Sequence, residues 1–214
     1  MADLSDRGSA ALLHLLAWLS PAFPTGGFAY SHGLEWAVEC GDVRDAATLR
    51  DWVEDVLRHG AGRTDAILFR HAHAGADVAE LACAVQASRE RLAESLGQGS
   101  AFVAASAAWH GTGEASVAYP VAVGALAGHW AIDADLACAA LLQAFATNLI
   151  SAAVRLVPLG QSAGLAVLAA LQPLCLEIAA DTRGAGLDAI GGCAFRSDMS
   201  SMRHETQYTR LFRS

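Results

Sequence analysis

Asp135-Leu136-Ala137-Cys138-Ala139-Ala140-Leu141-Leu142-Gln143-Ala144-Phe145-Ala146-Thr147-Asn148-Leu149-Ile150-Ser151-Ala152-Ala153-Val154-Arg155 has no charge between its two ends. Length alone would let such a run cross a bilayer, which takes about 20 apolar residues as a helix. Its pattern points elsewhere. Gln143, Thr147 and Ser151 recur every four residues and draw a narrow polar stripe down one helix face. The next uncharged run, Leu156 to Leu176, is broken by Pro158, Gly160, Gln161, Ser162 and Pro173. Both runs are expected to be core helices of a soluble bundle, with no membrane span.

Composition agrees with helices throughout. The 214 residues, 54% hydrophobic and 17% charged, suit one domain able to bury a sizeable core. Ala occurs 47 times and Leu 27, against 26 for Val, Ile and Thr together, a balance that favours helix over sheet. The fold class is therefore all-α, a single-domain bundle of about eight to ten helices. All 14 basic residues are Arg. Without lysine there is no P-loop NTPase, no kinase and no cofactor Schiff base. The net charge of −8 argues against nucleic acid as a partner. That charge is uneven: residues 1–195 carry ten Arg against twenty acids, whereas 196–214 carry four against two. The chain divides on this basis into a body, 1–195, and a C-terminal tail, 196–214.

Helices are expected at 9–19, 31–39, 48 onward, 64–74, 77–95, 100–110, 114–129, 133–155, 161–170 and 173–181. Ser31 and Thr48 stand as N-caps, Gly41 as a stop, and Leu49, Trp52, Val53, Val56 and Leu57 mark one buried face. Residues 183–201 read as irregular. The five cysteines are odd in number, widely spaced and without a C-x-x-C pair, so reduced, mostly buried thiols are expected. The start, Met1 to Asp6, lacks the basic region of a secretory signal, which makes the cytoplasm the expected location.

Few constellations could carry chemistry. Thr25-Gly26-Gly27-Phe28 matches no phosphate-binding motif and reads as a tight turn. His71 and His73, two apart on a helix, point to different faces, and His14, His59, His110 and His129 are scattered, so no metal motif emerges. Ser31-His32 adjacency makes no triad, and the nucleophile elbow is absent. Two stretches exceed what turns and core helices require. One is Phe28-Ala29-Tyr30-Ser31-His32-Gly33-Leu34-Glu35-Trp36, where Phe28, Tyr30, His32 and Glu35 offer a mixed functional surface. The other is the tail, which sets Met199, Met202, Tyr208, Leu211 and Phe212 among Arg203, Arg210 and Arg213. Aromatics and arginines anchor interfaces, so a partner-binding tail, mobile until bound, is expected. If it is helical, Arg203, Arg210 and Arg213 share a face.

Ser20-Pro21-Ala22-Phe23-Pro24-Thr25-Gly26-Gly27-Phe28-Ala29-Tyr30-Ser31-His32-Gly33-Leu34-Glu35 resembles the opening signature of the urease accessory protein UreF family. The resemblance continues at Arg89-Glu90, at Arg155 through Gln161, and at Met202-Arg203-His204-Glu205 with Arg210-Leu211-Phe212-Arg213-Ser214. It implies an all-α homodimer that is no enzyme itself. Such a protein is a scaffold for nickel insertion into apo-urease, binding UreD (UreH in some bacteria) and the nickel-carrying GTPase UreG. It couples GTP hydrolysis to delivery. The resemblance implies no tightly bound cofactor: nickel transits the complex and GTP sits on the partner. On this reading Phe28, Tyr30, His32, Glu35, Arg155, Gln161, Arg203, His204, Tyr208, Arg210, Leu211, Phe212 and Arg213 are the candidate partner-binding residues. The alternative is a small-ligand or enzymatic bundle whose stripe, Gln143, Thr147, Asn148, Ser151 and Arg155, lines an internal pocket.

Overall fold

Helical periodicity becomes helix along most of the chain in this computed structural model: α1 (Leu4–Trp18), α2 (Leu34–Glu39), α3 (Ala46–His59), α4 (Ala61–His73), α5 (Ala79–Ala84), α6 (Arg89–Ala105), α7 (Ala107–His110), α8 (Tyr119–His129), α9 (Ala134–Leu156), α10 (Gln161–Asp181) and α11 (Phe195–His204), with short 3-10 turns at Gly27–Ala29 and Leu187–Ala189. The structure describes residues 4–110 and 116–214, with side chains from residue 8 onward, and among them there is no strand. The expected start of a helix at 114 and the first residues of the Met1 to Asp6 segment lie outside the described residues.

The uncharged run between Asp135 and Arg155 forms α9, the centre of the bundle. It packs against α10, α4, α3, α2 and α8, and buries Leu141, Leu142, Leu149 and Ile150. By length and composition alone α9 and α10 could each cross a membrane, but both turn apolar faces onto each other and onto α3 and α4. Arg70 on α4 ties the layers together. Its Nη2 donates to Asp135 at 2.6 Å on α9, and its Nε to the Thr182 hydroxyl at 3.1 Å at the end of α10. His71 and His73 diverge as expected, each within hydrogen-bond distance of a different carbonyl, Ala185 and Ile132.

Several local expectations are corrected. The cap of α3 is Asp45, whose carboxylate accepts from Thr48 N while the Thr48 hydroxyl accepts from Asp45 N; Thr48 is the third residue of the helix rather than its cap. The break expected near 96–99 falls instead at 85–88, because Ser88 caps α6 and the helix runs through Gly97 and Gly99. Gly99 is needed there for close packing: a Cβ would lie 1.8 Å from the Val117 carbonyl oxygen. The two helices expected at 161–170 and 173–181 are one, α10, with Pro173 inside it. Pro173 and Ala169, the residue whose carbonyl loses its partner, both lie on the exposed side, where water can replace the missing bond. Among the cysteines only Cys138 and Cys175 are buried, Cys83 is half-buried, and Cys40 and Cys193 are exposed, all five as free thiols.

Candidate functional site

The two stretches that sequence alone left unexplained meet. Tyr30 leaves the 3-10 turn in an extended conformation, and His32 and Gly33 follow with φ of +63° and +76°. That left-handed pair is costly for His32 and easy for Gly33. A Cβ on Gly33 would stand 2.5 Å from Ser201 N, so α11 rests directly on this backbone. The turn also aims Ser31, His32 and Glu35 inward, where all three are buried.

What they receive is the end of the chain. α11 stops at His204, and residues 205–214 continue as an irregular strap rather than a helix. Arg203, Arg210 and Arg213 therefore do not share a helix face, a correction that follows from the turn after His204. Glu35 is the main anchor: one carboxylate oxygen accepts from Leu211 N at 2.7 Å, the other from Phe212 N at 3.0 Å and from His204 Nε2 at 3.1 Å. The other ring nitrogen of His204 lies 2.6 Å from Glu90, which also pairs with Arg210 at 2.7 Å. Arg213 N donates to the Ala29 carbonyl, and Ser31 donates through both N and Oγ to the Ser214 carbonyl. Phe212 is buried beneath the Arg155 guanidinium, 4.4 Å from its ring centre. A tail expected to be free of the body is thus docked on it, because Ser31, Glu35 and Glu90 satisfy its polar groups.

α11 itself is inverted. Ser197, Ser200, Ser201 and His204 face inward, whereas Phe195, Met199 and Met202, at spacings of four and three, face solvent with Phe195 68% exposed. Tyr208 and Leu211 on the strap are exposed as well.

Beneath the strap lies an ionic cluster. Glu94 pairs with Arg91, lies 3.2 Å from His32 Nδ1, and accepts from Ser214 Oγ at 2.6 Å and Gln98 Nε2 at 3.0 Å. Burial alone would raise its carboxyl, but Arg91 and His32 hold it well below the usual carboxylate range. Burial, with Arg91 adding to it, pushes the His32 imidazole down to about 4 against the pull of Glu94. The neutral ring therefore donates from Nδ1, and its buried Nε2 has no hydrogen-bond partner. Asp65 is pushed up to about 7 by burial, with Arg91 opposing and Glu94 adding. Two small cavities flank this cluster. One, of about 40 Å³, reaches from Tyr30 and Asn148 to the cluster. The other, of about 50 Å³, reaches from the cluster to Gly60 and Asp198. Each has room for a few waters. His32, Asp65 and Arg91 line both.

The candidate residues divide by exposure. Phe28, Arg155, Gln161, Arg203, Tyr208, Arg210, Leu211 and Arg213 are exposed and Tyr30 is half-buried, whereas His32, Glu35, His204 and Phe212 are buried within the chain. The expected functional surface at Phe28 to Glu35 is therefore two things: Phe28 faces out, and His32 and Glu35 bind the strap. The stripe Gln143, Thr147, Asn148 and Ser151 lines an open groove with Leu12, Leu16 and Phe28 rather than an internal pocket, and Arg155 is engaged by Phe212. Sequence reasoning missed Asp65, Arg91 and Glu94. A readable signal existed, since Arg91, Glu94, Ser95 and Gln98 form a second polar stripe on α6. It also left Phe195 in the body, outside the apolar face it shares with Met199 and Met202.

Comparison with known proteins places these features in a family. The UreF family model matches residues 43–172. A urease accessory protein UreF of Cereibacter sphaeroides (strain KD131 / KCTC 12085) is 56% identical over 209 residues, covering 96% of this chain and 100% of that protein. Those of Methylobacterium sp. (strain 4-46) and Rhodopseudomonas palustris (strain TIE-1) are 51% and 48% identical, covering 94% and 99% of this chain and 88% and 95% of theirs. On the strength of the family model and of these nearly full-length matches, the chain belongs to the UreF family of urease accessory proteins.

Proposed function

We propose that this protein is a non-catalytic scaffold for nickel insertion into apo-urease, bridging UreD (UreH) and the GTPase UreG and coupling GTP hydrolysis to delivery. The observation that carries the partner role is α11. A helix that buries serines and shows Phe195, Met199 and Met202 to solvent has its apolar face arranged for another molecule, and Tyr208 and Leu211 extend that surface. UreD is the partner assigned to it. Of the arginines beside it, Arg203 and Arg213 suit acidic groups on that partner, while Arg210 is held by Glu90.

The second exposed apolar face, Leu12, Leu13, Leu16, Phe28 and Leu136, is the seat proposed for a second copy of the chain. Nickel is cargo in this reading, held by no tight site of the chain's own. Weak oxygen and imidazole donors along the small cavities suit a borderline divalent ion in transit. No cofactor is resident, and GTP is bound by the partner. The protein works in the cytoplasm. Capture of UreD by the purified chain tests the scaffold role, and sedimentation of Leu16→Asp tests the dimer seat. A wild-type mass for that variant overturns the seat, and absence of UreD capture by the unmodified chain overturns the scaffold.

A further inference from the structure

The strap does more than cover apolar surface, because its last residue reaches the ionic cluster between the two cavities. Ser214 Oγ donates to Glu94, and Glu94 in turn holds His32 through Nδ1. His32 N lies 3.4 Å from the same Ser214 hydroxyl. Three side chains, His32, Asp65 and Arg91, line both cavities and so form the wall between them. They are not equally fixed. Arg91 and Asp65 project from the long helices α6 and α4, and Arg91 is further held by its pair with Glu94. His32 sits on a turn with φ of +63°, a conformation that persists only where surrounding contacts impose it. Its Nε2 makes no hydrogen bond to the protein, so Nδ1 alone ties the ring in place. The strained turn favours movement. Glu94, Ser214 and the edge-on contact with Phe145 at 4.8 Å oppose it.

We propose that the His32 ring is a gate between the two cavities and that the docked strap, through Ser214 and Glu94, keeps it shut. A partner that lifts the strap from Glu35 withdraws Ser214 from Glu94 and from His32 N, and frees Ser31 and Ala29 from Ser214 and Arg213, so the turn that carries the ring is no longer pinned and the ring can swing away from Glu94. The two small cavities become one passage through the protein. This deepens the transit reading above, yet its test uses the isolated chain and no partner, so each can fail without the other.

The experiment introduces a thiol inside the first cavity by Ser95→Cys and follows its labelling by a small methanethiosulfonate reagent in the full-length protein, resolved by peptide mass spectrometry. Ser95 is buried and lines that cavity. With the strap intact, labelling at position 95 is slow. Adding Ser214→Ala should speed it about tenfold, the factor that one lost charge-assisted hydrogen bond is worth. The native Cys138, buried in the core and lining neither cavity, reports on the fold and should keep its rate. His32→Gly removes the ring and suits the positive φ. Labelling at position 95 should then be fast from the outset, and Ser214→Ala should add nothing further. The gate is overturned if Ser214→Ala leaves the rate at position 95 unchanged, if Cys138 accelerates by the same factor, or if Ser214→Ala still adds tenfold in the His32→Gly background.

Discussion

α3 and α11 are both amphipathic helices laid on the same bundle, and they face opposite ways. α3 turns Leu49, Trp52, Val53, Val56 and Leu57 inward and leaves its charged residues outside, as burial of apolar surface dictates. α11 turns Ser197, Ser200, Ser201 and His204 inward and leaves Phe195, Met199 and Met202 in water. The inverted helix is tolerated because its inner face is satisfied by specific bonds: Ser201 to Ser88, His204 to Glu35 and Glu90, and a Gly33 backbone that lets the helix come close. One helix is held by area and the other by hydrogen bonds, and only the second leaves its apolar face exposed.

The contrast breaks first in α3. Leu57→Ala removes a fully buried side chain and should cost about 2–5 kcal/mol, read as a lower urea midpoint with the slope unchanged. A loss within the range of surface substitutions would mean that α3 is not held by packing. Glu35→Ala takes the anchor from two strap N–H groups and from His204. Because the strap can lift and expose those groups to water, the cost is capped at about 1–3 kcal/mol. Proteolysis between 205 and 214 should become faster in this variant, and an unchanged cleavage rate would show that Glu35 is not the anchor.

Titration separates two groups of the cluster by sign. The His32 imidazole is lowered from 6.5 to about 4, so between those values the unfolded chain takes up a proton that the folded one refuses, and stability falls as pH drops through the window. The Asp65 carboxyl is raised from 3.8 to about 7, so stability falls as pH rises between those values. Asp65→Asn should therefore stabilise the protein at pH 8, by about 1–2 kcal/mol, and not at pH 4. Equal effects at both values would mean that Asp65 ionises as freely in the folded protein as in water.

Much of this was legible in the sequence, and the rest was hidden for identifiable reasons. The Gln143, Thr147 and Ser151 stripe, the α3 face and the stop at Gly41 are local signals with a period, and they locate α9, α3 and the end of α2 well. The break inside 77–110 lies elsewhere than the sequence suggests because Gly97 and Gly99 read as punctuation, whereas Gly99 answers a contact with Val117 on the next helix's approach. The strap departs from expectation for a similar reason. Its Arg, Tyr and Phe residues read as an interface, which left unseen the polar bonds that Ser31, Glu35 and Glu90 make with it from far along the chain. Both motifs were visible as unusual, but that each is the other's binding site required the fold.

The smallest effect on stability, and the sharpest test of the comparison, belongs to the outer face of α11. Phe195→Ser removes a ring that lies mostly in water, whereas Met202 and Met199 are only 46% and 37% exposed, so Met199→Ser and Met202→Ser each give up at most part of a buried side chain. Each substitution should change the stability of the isolated protein by no more than about 1 kcal/mol. The same substitutions placed on α3, at Val53 or Leu57, would put hydroxyls into the core and unfold it. Partner capture should show the reverse order. If the outer face of α11 is where UreD docks, the triple variant loses that capture, because apolar anchors at the centre of an interface carry most of its binding energy. Phe195 should matter most, being the largest and, at 68%, the most exposed of the three. A triple variant with unchanged thermal unfolding and no UreD capture supports the docking face. Wild-type capture removes UreD from it, and a large drop in unfolding temperature would show that α11 is held by apolar area after all, as α3 is.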